Sequence, residues 1–378
     1  MDCRWLNPAE TPPPRKLLAL VEAPDHVCYR YRLGAFAGPL AMAGWKLQPL
    51  VLRRGLLPGW TELGQIAAAD AVILQRWLFP WWRLGLVRRA ASRLLFDLDD
   101  AIFYRDSNRR QGPQSARRMR RFRATVRAAD AVLAGNRFLA DQAVAVAGPG
   151  KVHYFPTCVD LALYRPAAHR RPPGEVKLVW IGSRSTAPSL LDTRPGLEMA
   201  AARLPGLTLR LVCDWFPDLG PSIAVEHRAW TSAGEAEDVA EADVGISWLP
   251  DHQWSRGKCG LKVLQYMAAG LPVVANPVGV HCLLIDHGRT GLLAQTPDQW
   301  AAAIGRLAAS PELRAEMGRA ARQLVAEHCS VAGWAGFLPR LLQELTAAPN
   351  AGKSTGGVKP CHSGSSADAA RDAAGSTR

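Results

Sequence analysis

Between Arg256 and Ala275 the sequence gathers what a phosphorylated ligand needs. Gly257-Lys258-Cys259-Gly260 reads as a tight loop, Leu261 to Ala269 as a short helix with Gly270 as its stop, and Leu271-Pro272-Val273-Val274-Ala275 as a buried strand. Free backbone N–H groups, the positive end of a helix dipole and lysine charge converge at the helix entrance, an arrangement that suits a nucleotide diphosphate. Lys262 and Gln265, three apart, share a helix face toward a ligand, while Leu261, Leu264 and Ala268 share another toward a core. Arg256 and Lys258 flank the entrance. The plainer alternative is a solvated basic face; the glycine-bounded loop before the helix and the strand after it favour a ligand.

Three further groups have chemical potential. Val179-Trp180-Ile181 runs into Gly182-Ser183-Arg184-Ser185-Thr186, where small residues let a ligand approach the backbone and Arg184 reaches a phosphate; the alternative is an ordinary strand-to-helix loop with a Ser or Thr cap. Asp97-Leu98-Asp99-Asp100 follows the apolar run Leu94-Leu95-Phe96, and acids at a strand end hold sugar hydroxyls, act as a base, cap, or less often bind a metal. Tyr29-Arg30-Tyr31-Arg32 suits an acidic or sugar acceptor, or simple packing of the next helix. Gly352-Lys353-Ser354 resembles the end of a phosphate loop, but Ala347 stands where its first glycine belongs.

The elements that must position these groups alternate. Apolar runs at Leu17 to Val21, Lys46 to Leu52, Ala71 to Leu74, Leu94 to Phe96 and Asp130 to Ala134 are separated by helical patterns. A Pro- and Arg-rich stretch follows, and a second series begins at Lys177 to Ile181, Leu207 to Cys213, Val244 to Ile246 and Pro272 to Ala275. Strands alternating with helices predict α/β architecture with parallel sheets. The expected organisation is a flexible N-terminus over 1–16, a Rossmann-like domain over 17–165, a linker over 166–175, a second Rossmann-like domain over 176–346 whose last helix returns to the first, and a disordered tail over 347–378.

The 378 residues carry a net charge of +13, which favours an anionic partner. Arg105 to Arg127 is dense in arginine, with Met119, Phe122 and Val126 at helical spacing; that segment suits anionic lipid, nucleic acid or solvent. No nucleic-acid module is visible, so a nucleic-acid partner is not expected. Eight scattered cysteines without a CxxC pair fit reduced thiols and neither a zinc site nor a disulfide framework. No apolar run reaches the roughly 18 residues of a membrane span. The expected location is cytoplasmic, peripheral at the inner membrane face.

With these residues in hand, the chain resembles glycosyltransferase family 4, the group 1 glycosyltransferases of the GT-B fold. The likeness spans most of residues 17 to 345 and is strongest over Gly257 to Ala275. It continues through Pro277-Val278-Gly279-Val280, Asp286-His287-Gly288, Thr290-Gly291-Leu292-Leu293 and the segment Leu313 to Arg322. It implies two Rossmann-like domains facing a cleft, a nucleotide-sugar donor on the second, and a glycan or lipid-linked acceptor on the first. It also implies metal-independent, retaining transfer without a cofactor, in cell-surface polysaccharide synthesis. Carried onto this chain, it makes Lys262, Arg184 and Asp100 the catalytic candidates. Gly182, Ser183, Thr186, Arg256, Lys258 and Gln265 become donor contacts, and Arg30, Arg32 and Asp99 acceptor contacts. The family's two glutamates, eight positions apart, correspond to Gly257 and Gln265. The rivals are a sugar-nucleotide epimerase of the same architecture and a non-catalytic binder of nucleotide-sugars or anionic polymers.

Overall fold

A computed structural model describes residues 13–52, 59–105 and 112–347. The tail beyond 347, with Gly352-Lys353-Ser354, lies outside the described residues, as does the N-terminus through residue 12.

The described residues build two sheets of six parallel strands. In the first, β1 (Arg15–Val21), β2 (Trp45–Val51), β3 (Ala71–Gln75), β4 (Leu94–Leu98), β5 (Ala131–Ala134) and β6 (Val152–Tyr154) lie in the order β2-β1-β3-β4-β5-β6. In the second, β7 (Glu175–Ile181), β8 (Gly206–Cys213), β9 (Ala224–Ala229), β10 (Val244–Ser247), β11 (Val273–Ala275) and β12 (Gly291–Leu293) lie in the order β12-β11-β10-β7-β8-β9. Helices cover both faces, so the central strands are buried on both sides and read as unbroken apolar runs rather than alternating ones.

β1 starts at Arg15, inside the stretch expected to be a flexible N-terminus. The linker is likewise ordered. Ala167 N–H bonds to Ala269 O, His169 Nε2 lies 2.9 Å from Gly270 O, and Arg171 pairs with Asp243 at 2.9 Å, pinning the stretch to the second lobe. The helix Phe337–Ala347 lays Leu338, Leu341 and Leu342 on the first sheet beside Leu17, Ile73 and Leu95.

The carboxyl ends of both sheets face each other, and the lobes exchange side chains. Trp254 and Cys259 of the second lobe pack into the core around Leu98, Ala101 and Phe103 of the first. In return, Val27 and Tyr31 join the core built on Val263 and Tyr266 of the second.

Candidate active site between the lobes

Lys262 occupies the first turn of the helix Leu261–Ala268, entered through Gly260 at φ +73°. This left-handed backbone favours glycine, and a Cβ there would lie 2.7 Å from Leu284 Cδ1. The Lys262 ammonium sits 4.3 Å from the centroid of the Trp180 ring. Burial, with the neighbouring Lys258 adding to it, pulls its pKa down to about 7. Among the described residues no carboxylate lies within ion-pair distance of it. Nearby, His281 Nδ1 donates to Asn276 O at 2.9 Å, leaving Nε2 to accept from Ser247 at 3.0 Å; burial holds this ring neutral, near pKa 4.

The loop after β7 faces the same space. Gly182 has no room for a side chain, since a Cβ would come within 2.4 Å of the Trp180 ring and 2.7 Å of Thr186 Oγ1. Thr186 accepts from Ser183 N–H at 3.1 Å, closing a hydroxyl turn. Arg184 N–H donates to Asp214 at 2.8 Å, and its exposed guanidinium lies over the Trp215 ring. Lys258 completes the set, 3.5 Å from the centroid of the Trp254 ring. Each of these three cations rests on an indole ring by cation–π attraction; Lys258 is also paired with Asp100.

Other expectations are corrected. Arg256 turns outward and pairs with Asp251 in solvent at 3.4 Å, its side chain 55% exposed. What enters the cleft is its backbone, whose carbonyl, with that of Lys258, accepts from Asn136 Nδ2 of the first lobe. Gln265 does not share a ligand face with Lys262. Its buried amide donates to Tyr31 at 2.9 Å and Tyr164 at 3.1 Å.

On the first lobe, Arg32 is fully buried, donates to Asp97 at 3.2 Å and lies against Phe155, so it meets no acceptor. Arg30 pairs across the cleft with Glu235 at 2.7 Å and stacks over Trp230. Asp100 uses one oxygen for Ala101 N–H; the other receives Arg76 at 3.0 Å and Lys258 at 2.9 Å. Asp99 faces Arg76 at 3.4 Å. Burial pushes its pKa up, but Arg76 and Arg32 outweigh that and hold it below the ordinary carboxylate value. Asp97, Asp99 and Asp100 thus each face arginine, and no metal-holding cluster of three or more His, Cys, Asp or Glu occurs among the described residues.

Sequence reasoning missed Arg76, Glu235, Tyr164 and Asn136, and it read Tyr31 for an acceptor where the structure gives it Glu235 and Gln265 as partners. Arg76 follows β3 with φ +57°, an uncommon conformation for a side-chain-bearing residue, and aims its guanidinium at Asp99 and Asp100. Its only sequence signal is its place at a strand's carboxyl end. Between the lobes a cavity of ≈ 390 Å³, mostly apolar, is lined by Asn136, Arg137, Tyr154, Cys259, Val280 and Leu283, among others.

Residues 233–310 match the family model described as Glycosyl transferases group 1. A D-inositol 3-phosphate glycosyltransferase of Pseudarthrobacter chlorophenolicus is 32% identical over 202 residues, covering 45% of this chain and 45% of that protein. One from Nocardiopsis dassonvillei is 28% identical over 308 residues, covering 72% of this chain and 66% of that protein. The chain therefore spans about half to two thirds of the length of these relatives. Among solved structures, sucrose-phosphate synthase from Thermosynechococcus elongatus superposes with a TM-score of 0.64 at 18% identity, covering 88% of this chain and 99% of that one. HepE of Anabaena, solved with UDP and glucose, gives a TM-score of 0.60 at 15% identity over 87% of this chain and all of that one. The fold is that of the GT-B proteins: two Rossmann-like lobes with parallel sheets.

Proposed function

This chain belongs to the group 1 glycosyltransferases, and from that premise we propose that it moves a sugar from a nucleotide-sugar to a glycan or glycolipid acceptor. The observation that carries this reading is Lys262, a cation without an acidic partner in the cleft, held on Trp180 at the carboxyl end of the second sheet. Ligands of open parallel sheets bind at that end. A diphosphate placed there gains Lys262 as counter-ion, with Arg184 and the Gly182–Thr186 turn beside it.

In the transfer, the bond between the anomeric carbon and the diphosphate oxygen breaks. An acceptor hydroxyl oxygen forms the new bond, and its proton passes to the departing diphosphate. Charge grows on that diphosphate, and Lys262 and Arg184 stabilise it electrostatically. Asp100 acts as a positioning residue, holding Lys258 at the mouth of the site. The arginine pairing of Asp97, Asp99 and Asp100 supports transfer without a metal. Retention at the anomeric carbon, a role in cell-surface polysaccharide synthesis, and work at the inner membrane face through the basic segment Arg105 to Arg127 complete the reading.

A second reading, a binder that no longer transfers, is favoured by Gly257 and Gln265 standing where the resemblance places two glutamates. The test is a panel of nucleoside diphosphates and nucleotide-sugars read by thermal shift. A donor at one hundred times its dissociation constant stabilises the fold by about 2.7 kcal/mol. Stabilisation by one nucleotide class, lost in Lys262→Ala, supports the site; no shift with any member removes it. Stabilisation with no transfer to any glycan or lipid acceptor favours the second reading.

A further inference from the structure

Three tryptophans stand in solvent on the first lobe. Trp60 is 93% exposed, Trp81 81% and Trp82 36%. They open two neighbouring helices, Trp60–Ala67 and Trp81–Ala90, which pack on each other, and the second packs on Ala116–Ala128. All three helices bury their inner residues, Ile66, Leu84, Val87, Phe122 and Val126, on one face of the first sheet. Each runs back against a parallel strand, so its amino end lies along the sheet edge that faces the other lobe. The tryptophans therefore sit at the rim of the cleft.

Two of these helices are basic. Trp81–Ala90 and Ala116–Ala128 carry nine arginines and no acid. Arg89, Arg117, Arg120, Arg123 and Arg127 are exposed on their outer faces. Two acids on or beside these helices are engaged: Glu62 bonds to Gly59 N–H, and Asp130 bonds to Leu94 N–H and Arg88. Indoles at helix ends beside a field of arginine match the layered chemistry of an anionic bilayer, where rings enter the headgroup boundary and guanidinium groups meet phosphates. Nucleic acid explains the arginines and leaves the protruding indoles unexplained. No described helix is long and apolar enough to cross a membrane, so the contact is peripheral.

We propose that Trp60, Trp81 and Trp82, with the outward arginines of the Ala116–Ala128 helix, form a docking surface for an anionic lipid bilayer that holds the cleft mouth at the headgroup plane. The inference rests on the transferase reading only in making the acceptor a lipid-linked molecule delivered from that plane.

The test uses the full chain with vesicles of phosphatidylcholine containing phosphatidylglycerol, and with phosphatidylcholine alone. Expected is sedimentation with the anionic vesicles, a blue shift of tryptophan emission, and release as salt shortens the Debye length. Trp60→Ser/Trp81→Ser/Trp82→Ser binds about tenfold or more weakly, which is about 1.4 kcal/mol or more over the three rings, and loses the blue shift. Arg117→Gln/Arg120→Gln binds roughly thirtyfold more weakly, since each surface cation contributes about a factor of five. Melting temperatures with and without uridine diphosphate check that each variant keeps its fold and donor site. No binding to anionic vesicles at low salt overturns the proposal. So does a tryptophan variant that binds like the parent, or binding to RNA that depends on the arginines and exceeds that to vesicles. If vesicle binding behaves as described while no nucleotide shifts the melting temperature, the surface stands and the transferase reading fails.

Discussion

Lys262 titrates near 7 because burial disfavours its charge and Lys258 adds like-charge repulsion. An unfolded lysine titrates near 10.4. Between those values the unfolded chain binds the extra proton, so the stability of the free protein rises with pH across that window. Lys262→Met removes the penalty. Its melting temperature should exceed the parent's at pH 7 and below, with the difference shrinking toward pH 10. Donor binding has the opposite demand, because a diphosphate favours the ammonium. Calorimetry at pH 8 in buffers of different ionisation enthalpy should show proton uptake that vanishes in Lys262→Met; equal uptake in both proteins moves the titration elsewhere. Arg32 makes the contrasting case. Sequence offered it as an acceptor contact because arginine types and strand ends were visible, while burial was not. Its partner Asp97 is wholly buried, so Arg32→Met strands a carboxylate and should cost about 3–5 kcal/mol of unfolding free energy. Urea denaturation reads that loss; a variant as stable as the parent returns Arg32 to the surface chemistry first read for it.

The helix Leu261–Ala268 shows why pairing Lys262 with Gln265 misled. Residues three apart differ by about 60° around a helix, which on an open face leaves them neighbours. This helix is wedged between lobes, and that angle aims Lys262 at the second sheet's carboxyl end and Gln265 at the first lobe's tyrosines. The hydrogen bonds there leave no freedom. Tyr31 gives its one proton to Glu235 at 2.7 Å, so its lone pairs need donors, and Gln265 supplies one. Gln265→Glu, which restores the family residue, puts a second acceptor and a second negative charge beside Glu235. It should lower the melting temperature at pH 8 and recover as pH falls through the raised pKa of the new carboxyl, whose protonated form donates. An unchanged melting temperature at pH 8 removes that network from the stability of the interface. Among the strands, the buried central ones were legible because apolar runs of three to seven residues between helical patterns have few other uses. β6, β9 and β12 were not. β9 and β6 are exposed or half-exposed edges, β6 and β12 are three residues long, and short or polar edges lack the apolar signal.

At the scale of the molecule, two parallel-sheet lobes and an anion-seeking charge were legible, while the closure of one lobe on the other was not, because its contacts join residues more than a hundred positions apart. Arg30 meets Glu235, Tyr31 meets Gln265, and Asp100 meets Lys258, all at 2.7–2.9 Å. One close approach of the lobes involves Gly257. A Cβ there would lie 2.4 Å from Ala101 Cβ, 2.6 Å from Ala101 N and 3.0 Å from its Cα. Main-chain atoms cannot rotate aside, and the Gly257 backbone, at φ −81°, is one that any residue adopts. Gly257→Ala therefore leaves its own turn unstrained and acts only on the approach of the lobes, which also explains why a glutamate does not fit here in the closed form. The variant should open the cleft and lengthen the contact between Lys258 and Asp100. Small-angle scattering should then report a larger radius of gyration than the parent's. A nucleotide that stabilises the parent should still stabilise the variant, since Lys262, Trp180 and the Gly182–Thr186 turn all belong to the second lobe. Transfer should fall, because donor and acceptor sides no longer meet and water enters between them. An unaltered radius with unaltered turnover would mean that the lobes part readily in solution and that Gly257 sets no limit on their approach.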